Sequence, residues 1–206
     1  MIAIVDYGVG NLFSLCSSLR TIGAETVVTS EPKQIAAADR IILPGVGAFG
    51  DAADKLRETG LGDVVKQQAA AGKDVLGICL GMQLLFESSC EYGEHAGLGL
   101  LRGHVTDMRG RIAEELKIPH IGWNDLKFPN KGRLFKNVPE GTYVYFVHSY
   151  YLDADDKSIV TATTEYGTTV EASVECGNVF ATQFHPEKSS DMGLMMLRNF
   201  VDIVKG

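Results

Sequence analysis

Cys79 stands at a position typical of a catalytic nucleophile. It lies between two glycines in the segment G-I-C-L-G, after an apolar run at residues 75–78 and before a helix-like stretch at residues 80–86. A nucleophile on such a strand-to-helix turn projects from the carboxyl end of a sheet, and flanking glycines avoid Cβ clashes in the strained turn. The free N–H groups and the dipole of the following helix favour the thiolate, which is the reactive form. The alternative is a small core residue, the usual role of a free cysteine.

His185 and Glu187 offer the base and the orienting carboxylate that a nucleophilic cysteine needs. They lie in F-H-P-E, after an apolar run at residues 179–184. Residues two apart in an extended backbone point to the same side, and Pro186 keeps the preceding residue extended. A carboxylate beside an imidazole fixes its tautomer and stabilises its charged form. The alternative is a surface pair at a strand end, with Glu187 near the start of the last helix.

The first half of the chain must position Cys79, and its pattern is that of an α/β fold. Short apolar runs predict buried strands at residues 2–5, 26–28, 40–43 and 75–78. Helical periodicity predicts helices at residues 11–22 and 55–71 and from residue 80 onward. Strands that alternate with helices indicate a doubly wound, mostly parallel sheet flanked by helices.

The second half is richer in strands. β-rich segments occur at residues 143–147, 159–163, 169–174 and 179–184. Turn signals between the last three predict an antiparallel β-meander added to the sheet. Residues 119–139 are predicted to be loop-rich, and residues 191–204 to form a closing helix. The chain contains no low-complexity linker, so we expect a single domain over residues 1–206.

Composition narrows the possible functions. The chain has 206 residues and a net charge of −7, which argues against general binding of nucleic acid or anionic membranes. The four cysteines lack C-x-x-C spacing, so no metal site is expected. The N-terminus has no basic region before its apolar run, and no apolar run reaches the length of a membrane span. We therefore expect a cytoplasmic protein with free thiols.

A glycine-rich loop offers a competing function. Gly45, Gly47 and Gly50 fit G-x-G-x-x-G, the fingerprint of a dinucleotide-binding loop. That fingerprint normally follows the first strand of the fold, whereas here it follows the third, and Pro44 interrupts the chain directly before it. A nucleotide-binding module and a thiol-based redox sensor remain as alternatives to an enzyme.

Together, G-I-C-L-G and Q-F-H-P-E resemble the pattern of the class-I (triad) glutamine amidotransferases, over essentially the whole chain. The resemblance implies a flavodoxin-like sheet and a triad of Cys79, His185 and Glu187 that hydrolyses the side-chain amide of glutamine, with no cofactor. Cys79 would attack the amide carbon, His185 would protonate the departing ammonia and then activate water, and Glu187 would orient His185.

Five further stretches resemble one branch of this family: D-Y-G-V-G-N, L-P-G-V-G-A-F, I-G-W-N, Y-F-V-H-S-Y-Y and F-H-P-E-K-S. Members of that branch deliver ammonia to a separate cyclase subunit of (β/α)8-barrel type, with which they form a heterodimer. The cyclase makes imidazole glycerol phosphate and an aminoimidazole carboxamide ribotide by-product in histidine biosynthesis. An amidotransferase that serves another acceptor is the alternative within the same chemistry.

The resemblance also implies roles for residues around the triad. The backbone N–H groups of Val46 and Leu80 would bind the oxyanion, and Gly45 would allow the Gly45–Val46 peptide to turn towards or away from the site. The residues implied to bind glutamine are Gly45, Gln83, His148, Ser149 and Tyr150. From the residues alone, Gln83 is equally an ordinary polar helix residue, and residues 148–150 a strand terminus.

The same resemblance implies contacts with the cyclase subunit. The candidate interface residues are Asn11, Trp123, Asn124, Tyr145 and Lys188. Trp123 is the only tryptophan and lies in the region predicted to be loop-rich. Tryptophan often anchors interfaces, but a lone tryptophan is equally typical of a core.

Overall fold

The alternating apolar runs of the first half fold into strands and helices in turn, in a computed structural model that describes residues 1–203. The strands are β1 (Ile2–Val5), β2 (Thr26–Thr29), β3 (Arg40–Leu43), β4 (Asp74–Ile78), β5 (Ser88–Ser89), β6 (His95–Ala96), β7 (Gly103–Asp107), β8 (His120–Asp125), β9 (Tyr143–His148), β10 (Tyr150–Ala154), β11 (Val160–Glu165), β12 (Thr169–Cys176) and β13 (Val179–Thr182). The α-helices are α1 (Leu12–Thr21), α2 (Pro32–Ala37), α3 (Phe49–Glu58), α4 (Leu61–Ala70), α5 (Leu80–Leu84) and α6 (Ser190–Val201).

A seven-stranded sheet forms the centre of the fold, in the order β11-β12-β13-β4-β3-β1-β2. The five strands from β13 to β2 are parallel, and β11, β12 and β13 are paired antiparallel. Apolar side chains of α2, α3 and α4 pack on one face, and those of α1 and α6 on the other. A parallel sheet needs cover on both faces because its strands are apolar on both sides. The predicted doubly wound sheet and its antiparallel meander are confirmed.

The pairing of β13 with β4 joins the two halves of the chain where the candidate residues lie. Thr182 is in register with Ile78, and the backbone N–H of Cys79 donates to the carbonyl oxygen of Thr182 at 2.7 Å. The chain therefore leaves both strands at the same edge of the sheet. Residues 79 and 183–187 meet there although about a hundred residues separate them in sequence.

One prediction for the helices was wrong, and one helix was missed. The single helix expected over residues 55–71 is two helices, α3 and α4, because Gly60 adopts a left-handed φ of 71° between them. The short helix α2 was not predicted; it begins at Pro32, whose fixed φ suits the first helical position. The closing helix ends at Val201, and the end predicted at Val204 lies outside the described residues.

The region predicted to be loop-rich contains a strand. β8 pairs antiparallel with β9 in a separate two-stranded sheet, which places Trp123 opposite Tyr145. A further small sheet, in the order β10-β7-β5-β6, was not predicted because β5 and β6 have only two residues each. Among the helices described in residues 1–203, none has the length and apolar character to cross a membrane.

Candidate active site

Cys79 lies on a strained turn between β4 and α5. Its φ of 55° and ψ of −112° are rare for a residue with a side chain, and such backbone strain costs about 1–3 kcal/mol. The flanking glycines make the turn possible, as expected. A Cβ atom on Gly81 would lie 1.8 Å from the carbonyl oxygen of Leu43, and one on Gly77 would lie 2.7 Å from the carbonyl oxygen of Gly81.

The sulfur of Cys79 faces a cavity of about 380 Å³. The side chain is buried, with 7% of the residue exposed, and Sγ lies 3.9 Å from the carbonyl oxygen of Val147. The residues that line the cavity are Val46, Gly47, Cys79, Leu80, Gln83, Glu91, Pro119, Val147, His148, Ser149, Tyr150 and His185. A cavity of this size suits a small molecule such as an amino acid.

His185 and Glu187 form a buried pair beside Cys79. Nδ1 of His185 lies 2.7 Å from Oε1 of Glu187, and their side chains are 2% and 3% exposed. Nε2 of His185 is buried and has no hydrogen-bond partner among residues 1–203. Burial lowers the pKa of His185, but the Cys79 sulfur and the Glu187 carboxylate raise it more, and the resulting pKa is about 9. His185 is therefore mainly protonated at neutral pH and can act as an acid.

The two candidate oxyanion groups come from different segments of the chain. Leu80 opens α5, so its N–H is one of those with no partner inside the helix, and Val46 lines the cavity from the loop after β3. The reason for a glycine at position 45 differs from our expectation. Gly45 does not adopt a left-handed φ; instead, a Cβ there would lie 2.7 Å from the hydroxyl oxygen of Tyr7 and 2.9 Å from Cβ of Leu80.

Tyr7 holds the loop that contains Gly45. Its hydroxyl donates a hydrogen bond of 2.7 Å to the carbonyl oxygen of Pro44. Burial, with a smaller contribution from the Cys79 sulfur, raises the pKa of Tyr7, so its hydroxyl stays a donor. Sequence reasoning missed this residue, because a tyrosine early in the chain carries no signal of contact with residue 44.

The residues implied to bind glutamine differ in what they leave free for a ligand. Both ring nitrogens of His148 are engaged, Nδ1 with the carbonyl oxygen of Tyr150 at 2.9 Å and Nε2 with Nδ1 of His120 at 3.1 Å. A contact from His148 to glutamine would therefore come from its backbone. Gln83 is buried, and its Nε2 donates to the carbonyl oxygen of Tyr150 at 3.1 Å and to Oε1 of Gln183 at 2.9 Å.

His120 and His148 form a buried, uncharged pair. Burial lowers the pKa of His120 to about 4 and is also the main cause of the pKa of about 3 for His148. The His120 ring stacks on Phe146 and Tyr166, with centroid distances of 4.9 and 3.9 Å. The pair thus joins the β8–β9 sheet to the wall of the cavity.

Sequence reasoning missed two polar residues at the site. Glu91 lines the cavity, and its Oε2 accepts a hydrogen bond of 2.6 Å from the backbone N–H of Phe49 at the start of α3. Gln183 is fully buried, and its Nε2 lies 3.7 Å from Sγ of Cys79. Glu91 stands in no motif, whereas Gln183 precedes F-H-P-E, and its place in that motif was the available signal.

Three of the five candidate interface residues form one surface group, in which Tyr145 is half-buried. Trp123 is 50% exposed, so the core alternative for it is wrong. Its ring lies 6.1 Å from that of Tyr145, over which Nζ of Lys188 lies at 5.7 Å. Asn124 instead donates to the carbonyl oxygen of Glu165, and Asn11 caps α1 by accepting from the N–H of Ser14.

Packing accounts for the third glycine of the glycine-rich loop. Gly50 lies inside the first turn of α3, and a Cβ there would come within 2.6 Å of the His95 ring, so its small size serves packing. In the described part of the chain, no cluster of three or more His, Cys, Asp or Glu residues is arranged to hold a metal ion.

The chain is similar to known proteins over its full length. It is 49% identical over 204 residues to the imidazole glycerol phosphate synthase subunit HisH of Moorella thermoacetica, covering 99% of this chain and 95% of that protein. It is 48% identical over 208 residues to the subunit of the same name from a Geobacillus species, covering 100% and 98%.

Solved structures match the fold. The structure of PurLQS from Thermotoga maritima has a TM-score of 0.73 at 23% identity, covering 98% of this chain and 97% of that one. A family model described as Glutamine amidotransferase class-I matches residues 3–204. The chain therefore belongs to the class-I glutamine amidotransferase family.

Proposed function

We propose that this protein hydrolyses glutamine to glutamate and ammonia, and that it delivers the ammonia to a cyclase subunit in histidine biosynthesis. The observation that carries the proposal is the presence of Cys79 and His185 in one cavity, with Glu187 bonded to the far side of the imidazole. The names of the full-length relatives, which are subunits of imidazole glycerol phosphate synthase, support the pathway.

The raised pKa of His185 suits both halves of the reaction. The Cys79 thiolate attacks the amide carbon of glutamine, and protonated His185 gives its proton to the departing ammonia. The product is a thioester, in which the sulfur no longer carries charge. Because that sulfur is the leading group that raises the pKa of His185, the pKa falls at this stage. The neutral imidazole then takes a proton from the water that hydrolyses the thioester.

The rest of the cavity binds and orients glutamine. In this proposal the N–H groups of Val46 and Leu80 bind the oxyanion, and the Gly45–Val46 peptide turns so that the partner controls the reaction. Glu91 is the carboxylate on the cavity wall, which makes it the natural partner for the α-amino group of glutamine. The side chain of Gln83 and the backbone around Ser149 and Tyr150 complete the site.

The partner in this proposal is a cyclase of (β/α)8-barrel type. It would cap the edge of the sheet where the strands end, which is where ligands bind in doubly wound folds. The surface group of Trp123, Tyr145 and Lys188 lies near this edge, because the backbone carbonyl of Tyr145 accepts a hydrogen bond from the backbone N–H of His185 at 3.0 Å. Asn11 and Asn124 extend the surface. The chain would act as one domain over residues 1–206 in the cytoplasm.

A comparison of nitrogen sources tests the function. The purified protein is mixed with a barrel cyclase subunit and its nucleotide substrate, and synthesis is measured with glutamine and with ammonium salts. The Cys79→Ala variant should lose synthesis from glutamine and keep synthesis from ammonia. Retained use of glutamine would refute the assignment of Cys79. The unaltered protein could instead hydrolyse glutamine and yet support no synthesis by this cyclase. That result would refute the proposed cyclase partner but not the glutaminase activity.

A further inference from the structure

Gln183 belongs to a buried chain of hydrogen bonds that ends at the nucleophile. The carbonyl oxygen of Tyr150 accepts from Nε2 of Gln83 at 3.1 Å, and the same Nε2 lies 2.9 Å from Oε1 of Gln183. Nε2 of Gln183 then lies 3.7 Å from Sγ of Cys79. Gln83 and Gln183 are 5% and 0% exposed, so water does not compete for these contacts.

The carbonyl oxygen of Tyr150 determines the direction of every hydrogen bond in this series. A carbonyl oxygen can only accept, so the Gln83 atom that faces Tyr150 must be the nitrogen. That nitrogen directs its second hydrogen to Gln183, whose facing atom must therefore be the oxygen. The nitrogen of Gln183 is then left on the side of Cys79. The amide of Gln183 cannot reverse without setting two donors against each other.

Two contacts on the sulfur favour opposite protonation states. The carbonyl oxygen of Val147, at 3.9 Å, can only accept, so it favours the thiol. The amide nitrogen of Gln183 donates, so it favours the thiolate. A donor held towards a developing charge in a buried site stabilises the charged form. Because Gln183 is fully enclosed and bonded at its other end, it also fixes the place of the sulfur.

We propose that Gln183 is a positioning residue for Cys79, which holds the sulfur and stabilises its thiolate through an N–H donor whose direction Gln83 and the Tyr150 carbonyl determine. The inference rests on the proposed function in one respect, that the Cys79 thiolate is the nucleophile. Gln183 contacts neither the cavity nor the substrate, and its effect passes through Cys79 and Gln83.

Other titratable groups near the sulfur must stay unaltered in any test. His185 faces it from the segment after β13, and Tyr7 from the segment after β1. Glu91 and His148 lie on the wall of the same cavity. Changes at position 183 leave all of these groups in place, so a shift in the behaviour of Cys79 reports the loss of the amide donor.

The test measures the pH dependence of Cys79 alkylation by iodoacetamide, followed by peptide mass spectrometry because the chain has three other free cysteines. Gln183→Glu keeps an acceptor for Gln83 but replaces the donor beside the sulfur. Gln183→Met removes the donor without adding charge. Gln67→Glu, on the exposed face of α4, is the control for charge. Circular dichroism establishes that each variant is folded.

We expect the alkylation midpoint to move to higher pH in both variants, by about one unit or more in Gln183→Glu, and to stay unchanged in the control. The kcat for glutamine hydrolysis should fall about tenfold or more, while KM changes less, because the residue acts on the nucleophile. An unchanged alkylation midpoint in Gln183→Met would overturn the proposal. This holds even if the midpoint of Gln183→Glu shifts, because that shift would then come from the added charge and not from the lost donor. The alkylation midpoint does not depend on glutamine turnover, so this test can fail while the glutaminase assignment stands.

Discussion

Nδ1 of His185 and Oε1 of Glu187 lie 2.7 Å apart, and both side chains are almost completely buried. The carboxylate oxygen can only accept, so Nδ1 carries the hydrogen and Nε2 is left to exchange a proton at the Cys79 side. Pro186, the residue between them, begins a 3-10 turn that places the side chains of His185 and Glu187 next to each other.

Replacement of the Glu187 carboxylate should show how far His185 depends on it. Glu187→Gln keeps the shape but removes the charge, so the preferred tautomer is lost and the pKa of His185 should fall from about 9. We expect glutamine hydrolysis to slow by about 10²–10⁴-fold. Steady-state kinetics and an NMR titration of the His185 ring measure the two effects. Glu94→Gln, at an exposed glutamate, is the control; equal rates in the two variants would contradict the role of Glu187.

Gly45 should tolerate no side chain, for reasons of space. In Gly45→Ala the new Cβ would meet the Tyr7 hydroxyl at 2.7 Å and Cβ of Leu80 at 2.9 Å, so the loop that carries the Val46 N–H must move. Loss of one oxyanion donor slows comparable enzymes by about 10²–10³-fold. We expect the rate of synthesis from glutamine to fall by this factor, and the rate of synthesis from ammonia by the assembled complex to stay unchanged. A variant with the full rate from glutamine would show that the loop has no catalytic role.

The buried pair of His120 and His148 should make the protein sensitive to acid. The pKa values are lowered from 6.5 to about 4 and about 3, so the unfolded state binds more protons as the pH falls below 6.5. The free energy of unfolding should therefore decrease with decreasing pH, by up to about 1.4 kcal/mol per unit for each group. His120→Phe keeps the stacking and removes one group. Urea unfolding between about pH 5 and 6.5 should show a shallower slope in this variant; an unchanged slope would contradict the account.

Trp123 should carry a large share of the affinity for the barrel partner. Trp123 is a large exposed aromatic residue beside Tyr145. Such residues are typical of interface hot spots, where truncation costs about 2 kcal/mol or more. We expect Trp123→Ala to raise the Kd about thirtyfold, as measured by calorimetry, with little effect on thermal unfolding. Val28→Ala, on the edge strand β2, is the control at an exposed apolar residue. Equal affinities for the two variants would place the interface elsewhere.

The sequence is most informative where the fold is regular. The apolar runs that become β1, β3 and β4 are short, contiguous and bounded by turn residues, so periodicity alone finds them. The break at Gly60 was missed because a glycine inside a helix-like stretch is tolerated and does not by itself predict the end of the helix. β5 and β6 are too short to carry any period, and their pairing is a property of the tertiary structure.

Some residues of the candidate site could be predicted from the sequence and others could not. Cys79, His185 and Glu187 were identified because each stands in a motif whose geometry is local. Glu91 and Tyr7 reach the site through contacts between distant segments. Gln183 lies in the quoted motif Q-F-H-P-E, but its contact with Cys79 is a property of the tertiary structure. The engagement of Nε2 of His148 is likewise a consequence of pairing between β8 and β9, because sequence reasoning had placed the residues of β8 in a loop-rich region.

Covalent labelling tests the central claim, that Cys79 is the nucleophile of a glutamine site, most directly. The protein is treated with a glutamine analogue that carries an electrophilic carbon in place of the amide, and the modified peptides are identified by mass spectrometry. Cys90 and Cys176 are exposed thiols in the same chain and serve as internal controls. We predict that label appears on buried Cys79 alone and that excess glutamine prevents it. Label on the exposed cysteines with Cys79 unmodified would contradict the claim.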